Sequence, residues 1–370
     1  MKNFKKILTL VMTLVMAVAF SSCGNKIESE TSSKKEGESY KVILLIPGNL
    51  GDKSFFDAAN KGMEEVAQLE GVTTKVVEMS PDEKKWEPAF LDAIDEGYDL
   101  IISGNAASDI MNKLAEENPD SRFLNFDNSG TEAPSNVYSV TYATNEGSFL
   151  AGAFAAMVTS NKEMKNTNDE KLIGFLGGMD IPGINDFLVG YIQGAQYIDK
   201  DIKVATSYAG TFTDPAKGKE LGIGMYNMGV DIAFNVAGQT GLGLIDAAYE
   251  SNKYAIGVDS DQSKLYGETE PEKAKLVLTS VVKQIDTTIL EGVKKAREGK
   301  LEFGKHELLG LSANAVALAD NDIYQTVPAE IREKMSALAK DIIDGKIKVK
   351  SGFEMSTDEI SKYRDSVSNN

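Results

Sequence analysis

Val42-Ile-Leu-Leu-Ile-Pro-Gly-Asn-Leu-Gly-Asp-Lys-Ser-Phe-Phe-Asp57 joins an unbroken apolar run to a glycine-containing loop and then to a helix. The run Val42–Ile46 reads as a strand buried on both faces, since a half-exposed strand would alternate polar and apolar residues. Pro47-Gly48 and Gly51 mark the turn that follows. From Lys53 to about Leu69, Phe55, Ala59, Met63 and Val66 recur at helical spacing, and Asp52 stands where an N-cap belongs. A buried strand passing directly into an amphipathic helix is the unit of a parallel sheet covered on both faces.

The unit repeats. Thr74–Val77, Leu100–Ser103 and Phe123–Phe126 read as further strands, with helices over Trp86–Glu96 and Ser108–Glu117. The rhythm restarts after a long helix around Glu146–Met157. Strand Leu172–Leu176 leads to a helix near Asn185–Ile198, and strand Lys203–Tyr208 to one near Ala216–Met228. Ile232–Asn235 leads to Gly243–Glu250, and Ala255–Val258 closes that half. Two α/β halves without shared motif text imply two similar lobes. In open α/β sheets ligands bind beyond the carboxyl ends of the strands. That directs attention to Asn49–Phe56, Gly104-Asn105, Asp127-Asn128, Gly177–Phe187, Gly210–Asp214, Ala237–Gly243 and Asp259–Gln262. These segments are rich in Gly, Asp, Asn and Phe. Carboxylates and amides suit hydroxyl and ring-nitrogen donors, and phenylalanines suit flat rings.

The N-terminus carries an address. Lys2, Lys5 and Lys6 precede the apolar stretch Ile7–Phe20, which is long enough for a signal peptide and too short to span a bilayer. Residues 1–22 are therefore expected to be a signal peptide. The small pair Ser21-Ser22 leads into Cys23, the one cysteine in the chain, in a layout that resembles a lipobox. Phe20 stands three before the cysteine, where Leu is usual. A lone cysteine in an exported protein cannot close an internal disulfide, so acylation of Cys23 and a membrane anchor are expected. Residues 23–39, polar and without aromatics, read as a disordered tether.

Charge and composition exclude more than they name. The chain has 39 basic and 56 acidic residues, a net charge of −17. Without the signal peptide, which holds three lysines and no acid, the balance is 36 − 56 = −20. Such a surface is a poor partner for nucleic acid or anionic lipid. With one histidine, His306, and one cysteine, there is no basis for a Ser-His-Asp or Cys-His nucleophile or for a His/Cys metal cluster. No GxGxxG follows the first strand, and Gly177-Gly178 is not followed by a P-loop Lys-Ser/Thr, so no cofactor is expected. Paired carboxylates for glycoside hydrolysis stay open on composition.

Seven strings in order then carry a resemblance: Asp52-Lys-Ser-Phe55, Asn145-Glu-Gly-Ser-Phe-Leu-Ala-Gly152, Gly177-Gly-Met-Asp-Ile-Pro182, Asp214-Pro-Ala-Lys-Gly218, Ala237-Gly-Gln-Thr-Gly241, Gly257-Val-Asp-Ser-Asp-Gln262 and Ser280-Val-Val-Lys283. Over about residues 42 to 350 the chain resembles the basic membrane protein family, the nucleoside-receptor lipoproteins of bacterial ABC transporters. The resemblance implies a type I periplasmic-binding fold, with two doubly wound, Rossmann-like lobes joined by crossing hinge segments. Lobe one is expected at 40–143 plus 260–309 and lobe two at 144–259 plus 310–350, with 351–370 as a surface tail. Crossings are expected near Ala143, Val258 and Gly310. It further implies that Phe55 and Phe187 sandwich a purine or similar base and that Asp127 accepts from the base. Asp259 and Lys283 would hold ribose hydroxyls, and Gly238 and Gly241 would admit the sugar closely. Asp52 would either help hold the base or cap its helix. Where the family usually has Asn after this phenylalanine, the chain has Phe56-Asp57, which bears on base preference.

The residues themselves leave alternatives. Phe55 lies on the apolar stripe of its helix, and if it is core, Phe56 is the aromatic that faces the cleft. Phe212 is a second candidate for stacking. The implied partners are a small-molecule nucleoside, a permease and the membrane through the lipid. A sugar or autoinducer receptor, or a lipid-anchored hydrolase or adhesin on the same fold, is the alternative class.

Overall fold

The computed structural model describes residues 39–130 and 132–368. The expected signal peptide, Cys23 and all but the last residue of the tether lie outside the described residues. Among those described, no helix is long and apolar enough to cross a membrane.

The chain runs through β1 (Tyr40–Ile46), α1 (Phe55–Val66), β2 (Val72–Glu78), α2 (Trp86–Asp95), β3 (Leu100–Ser103), α3 (Ser108–Glu117), β4 (Phe123–Asn125) and β5 (Val137–Tyr142). Beyond Ala143 it changes lobes into α4 (Thr144–Ser160), β6 (Leu172–Gly177), α5 (Pro182–Ile198), β7 (Lys203–Tyr208), α6 (Pro215–Asn227) and β8 (Ile232–Val236). The same lobe continues with α7 (Gly238–Ser251), β9 (Tyr254–Asp259), α8 (Gln262–Gly267), α9 (Pro271–Ala274) and β10 (Val277–Lys283). At Gln284 the chain returns to α10 (Ile285–Arg297) and β11 (His306–Leu309). At Gly310 it crosses again to β12 (Val316–Leu318), α11 (Ala329–Ile343) and α12 (Thr357–Ser366). The two six-stranded sheets have the orders β11-β5-β4-β3-β1-β2 and β12-β10-β9-β8-β6-β7. Neighbouring strands are parallel, and β12 runs antiparallel to β10.

The apolar runs are explained by two-sided burial. In β1, Val42, Leu44 and Ile46 pack with Ala59, Met63 and Val66 of α1, while Ile43 and Leu45 pack on the other face with Trp86, Phe90 and Met111. Between α4 and α5 no side chain intervenes at three points. A Cβ on Gly152, Gly190 or Gly194 would overlap the carbonyl oxygen of Tyr191, Asn145 or Phe149 respectively. The two helices pack backbone on backbone.

Two expectations are corrected. Segment 260–283 does not join lobe one, because β10 pairs in parallel with β9 (Val281 opposite Val258) and keeps the chain in the second sheet. The middle crossing is therefore at Gln284 and not near Val258. The short helices α8 and α9 compress that strand–helix–strand unit below the length that sequence periodicity resolves.

The tail is not a surface appendage either. Ile360 and Val367 are buried, and the Val367 carbonyl accepts from Val204 N at the edge of the second sheet (2.9 Å). Buried Asp186 on α5 ties the tail to the first crossing. It accepts from Thr144 Oγ1 (2.7 Å), Asn145 N (2.9 Å), Ser351 Oγ (2.7 Å) and Gly352 N (2.8 Å). Asp186→Ala should leave these donors without an acceptor and cost about 2–4 kcal/mol in urea unfolding. Limited proteolysis should then cut the chain around 345–356 before it cuts either sheet. Wild-type stability together with an uncut tail would show that Asp186 does not hold it.

Candidate functional site

Both sheets point the carboxyl ends of their strands at one cleft. From the first lobe come the start of α1, beyond β1, and Asp127, beyond β4. From the second come Phe187 on the second turn of α5, Asp259 closing β9 and Lys283 closing β10.

These residues meet at the Lys283 ammonium. Its Nζ is 3.0 Å from Asp127 Oδ2 and 3.7 Å from Asp259 Oδ1. It also lies 4.9 Å from the centre of the Phe55 ring and 5.5 Å from the rings of Tyr142 and Phe187. Lys283 is only 7% exposed. Burial alone would favour the neutral amine, but the carboxylates of Asp127 and Asp259 outweigh it and hold the pKa above the usual lysine value. Burial pushes the Asp259 carboxyl up, with the Lys283 charge and the Ser54 hydroxyl pulling the other way. A buried cation between two carboxylates and beside three rings is a polar centre with stacking surfaces around it.

Phe55 and Phe56 are both half-buried against the core but take different positions. Phe55 faces Lys283 and packs on Phe126 (5.4 Å between ring centres) and edge-on to Phe56 (5.3 Å). Phe56 turns toward the loop, where its ring lies so close to Gly48 that a Cβ there would overlap it. Phe187 is buried, edge-on to Phe234 at 6.0 Å. Phe212 lies against Gly178, where it blocks any Cβ.

The N-cap of α1 is Ser54 and not Asp52, which instead serves the helix start from two residues before it. Its carboxylate accepts from the backbone N–H groups of Ser54 (3.0 Å), Phe56 (2.9 Å) and Asp57 (3.1 Å). Burial nonetheless pushes its pKa up to about 6, against those donors. Asp57 is likewise occupied, accepting from Gly51 N and Lys53 N (2.8 Å each). Gly241 is required by packing, since a Cβ would overlap the Asn235 side chain, which donates to Gln262 Oε1 (3.1 Å). Gly238 has φ +55, in the left-handed region that glycine enters at low cost.

Sequence reasoning missed Ser54, Phe126, Tyr142, Ser260 and Gln262. The Ser54 Oγ donates across the cleft to Asp259 Oδ2 (2.6 Å). Ser260 Oγ donates to the Ser54 carbonyl (3.2 Å), and Gln262 Nε2 to the Lys53 carbonyl (3.1 Å). Ser54 stood inside the quoted string Asp52–Phe55, a signal that was available and unused. Tyr142 ends β5, a strand the periodicity did not reveal. Cavities of about 410 Å3, beside Tyr138, Gln284 and Lys295, and about 190 Å3, beside Ala143 and Phe353, lie elsewhere. Neither is lined by Asp127, Phe187, Asp259 or Lys283, although Tyr142 lines the smaller one. Among the described residues no group of three His, Cys, Asp or Glu side chains could hold a metal ion.

A family model described as "ABC transporter substrate-binding protein PnrA-like" (Bmp) matches residues 39–351. The chain is 31% identical over 354 residues to the ABC transporter nucleoside-binding protein BmpA of Lactococcus lactis, covering 92% of this chain and 97% of that one. It is 31% identical over 351 residues to basic membrane protein A of Borreliella burgdorferi, covering 93% and 96%. Among solved structures, an ABC transporter solute-binding protein from Aeropyrum pernix superposes with TM-score 0.76 at 24% identity, over 88% of this chain and 99% of that chain. A periplasmic solute-binding protein from Actinobacillus succinogenes, solved with bound D-allose, gives 0.55 at 13% identity, over 77% and 99%. These structural likenesses show the fold, which is the type I periplasmic-binding architecture.

Proposed function

The chain belongs to the Bmp family of ABC transporter substrate-binding proteins, and on that premise we propose that it is a lipid-anchored extracytoplasmic receptor for purine nucleosides. One observation carries the reading. Two phenylalanines, two carboxylates and one ammonium, drawn from both lobes, converge at the strand ends where open α/β sheets take ligands. The relative named as nucleoside-binding supports the ligand class.

Each contact has a place in that chemistry. Phe55 and Phe187 supply ring faces from opposite lobes for a flat base. Asp127 accepts from base N–H groups once the ligand takes over its contact with Lys283. The 3.7 Å between Lys283 Nζ and Asp259 Oδ1 is too long for a hydrogen bond. A ribose hydroxyl between them accepts from the ammonium and donates to the carboxylate. Acylated Cys23 anchors the body, a permease of the transporter receives the nucleoside, and neither a cofactor nor nucleic acid is needed.

The ribose contacts set the test. Hydrogen bonds to charged groups are worth about 1.5–3 kcal/mol, roughly ten- to a hundredfold in affinity. In calorimetry a 2′,3′-dideoxynucleoside and the free base should each bind about ten- to a hundredfold more weakly than the ribonucleoside. Phe187→Ala should lose a similar factor through stacking, about 1–3 kcal/mol. Equal affinity for nucleoside and dideoxynucleoside would remove Asp259 and Lys283 from sugar recognition.

A further inference from the structure

We infer that Ser54 is a positioning residue that latches the two lobes together and fixes the orientation of the Asp259 carboxylate toward the ligand; the inference rests on the receptor reading above. Polar contacts between the lobes around the cleft fall at two nodes. One is Lys283 with Asp127, the centre the ligand must enter. The other joins the loop before α1 to the segment after β9, through Ser54 to Asp259, Ser260 to Ser54 and Gln262 to Lys53. The two nodes share Asp259, but the Ser260 and Gln262 contacts of the second go to backbone carbonyls of the first lobe and do not involve the Lys283 ammonium.

Ser54 is built to hold its place. It is 0% exposed, its N–H is fixed by Asp52 (3.0 Å), and its carbonyl opens α1 by accepting from Ala58 N (3.0 Å). Its hydroxyl has one proton, which the 2.6 Å contact with Asp259 Oδ2 takes. Asp259 stands at φ +61, a left-handed conformation unusual for a residue with a side chain and one that persists where surroundings fix it. With Oδ2 committed to the opposite lobe, Oδ1 is left facing Lys283. The Ser54 hydroxyl donates to Asp259 and not to the ammonium; it acts through Asp259. Removing its Oγ deletes one charge-assisted hydrogen bond and leaves the Ser260 and Gln262 contacts, which use backbone carbonyls.

The expected consequence is on release. Closure holds the ligand, so weakening the latch shortens residence and leaves encounter unchanged. For a nucleoside that binds wild type, Ser54→Ala should raise the dissociation rate about ten- to a hundredfold at unchanged association rate, read by stopped-flow fluorescence. Ser54→Thr, which keeps the hydroxyl, should restore slow release. Small-angle scattering on ligand-free protein reads the latch without any ligand, and Ser54→Ala should show a larger radius of gyration than wild type. If wild type binds a nucleoside and Ser54→Ala matches it in dissociation rate and radius, the latch is overturned. If wild type binds none, the receptor reading fails, and the ligand-free comparison still decides the latch: a larger radius upholds it and an equal radius overturns it.

Discussion

Lys283→Met should cost the folded protein about 3–5 kcal/mol at neutral pH and abolish nucleoside binding. Removing one partner of a buried ion pair leaves the others uncompensated, and here Asp127 and Asp259 would face a thioether where an ammonium stood. The pH dependence has a definite sign. The wild-type Lys283 pKa is raised, so its contribution to stability is present below the ordinary lysine range and is lost as pH rises through the raised value. Asp259 is already raised by burial, and without the Lys283 charge it rises further. A carboxyl raised in the folded state favours folding most below the ordinary carboxylate range and loses that advantage as pH rises through the folded value. The stability deficit of Lys283→Met should thus be largest at neutral pH and shrink toward pH 4. Urea unfolding at several pH values measures it. A deficit that stays constant from pH 7 to pH 4 would mean the carboxylates are not what the lysine compensates.

Gly152→Ala should be the more damaging of two formally identical substitutions. Its Cβ would occupy the space of the Tyr191 carbonyl oxygen, and Gly190 and Gly194 bring the same two helices equally close from the other side. Backbone cannot rotate out of the way as a side chain can, so the helices must separate, at a cost of about 3 kcal/mol or more. Gly224→Ala in α6 meets nothing within 4 Å and should stabilise by about 0.5–1 kcal/mol, through the lower conformational entropy of the unfolded chain. Urea midpoints of the two variants should move in opposite directions. A shift of the same sign and size in both would show that propensity, and not the seam, governs Gly152.

The fold was legible where burial and apolarity coincide. Val42–Ile46 of β1, all of β3 and the apolar part of β8 are buried, and their apolar runs announce them. β5 and β10 were not announced, although all of β5 and all but Val282 of β10 are buried, because polar side chains lie inside them. Ser139 and Thr141 of β5 are satisfied by Asn128 and His306, and Thr279 of β10 donates to the Ala319 carbonyl. Hydrogen bonds between distant segments carry no periodicity. Missing β10 displaced the crossing to Val258, and the same blindness hid the docking of the tail on Asp186.

Phe55, Asp127, Phe187 and Asp259 were legible within the strand-end segments and Lys283 only through the resemblance, since β10 was missed, and the five do come together. The pairings within it were not. Lys283 and Asp127 are 156 positions apart, and Ser54 and Asp259 are 205 apart. The string Asn145–Gly152 carried much of the resemblance, yet its Gly152 serves the helix seam and its Asn145 side chain holds the carbonyls of Val349 and Lys350.

Calorimetric titration of wild-type protein, unfolded and refolded to remove any retained ligand, tests receptor function most directly. The panel is inosine, guanosine, adenosine, the pyrimidine nucleosides, free purines, ribose and common hexoses. The expected result is one purine nucleoside bound per chain, with ribose and free base at least tenfold weaker. No heat from any nucleoside at millimolar concentration, with saturable binding of a sugar in its place, would contradict it.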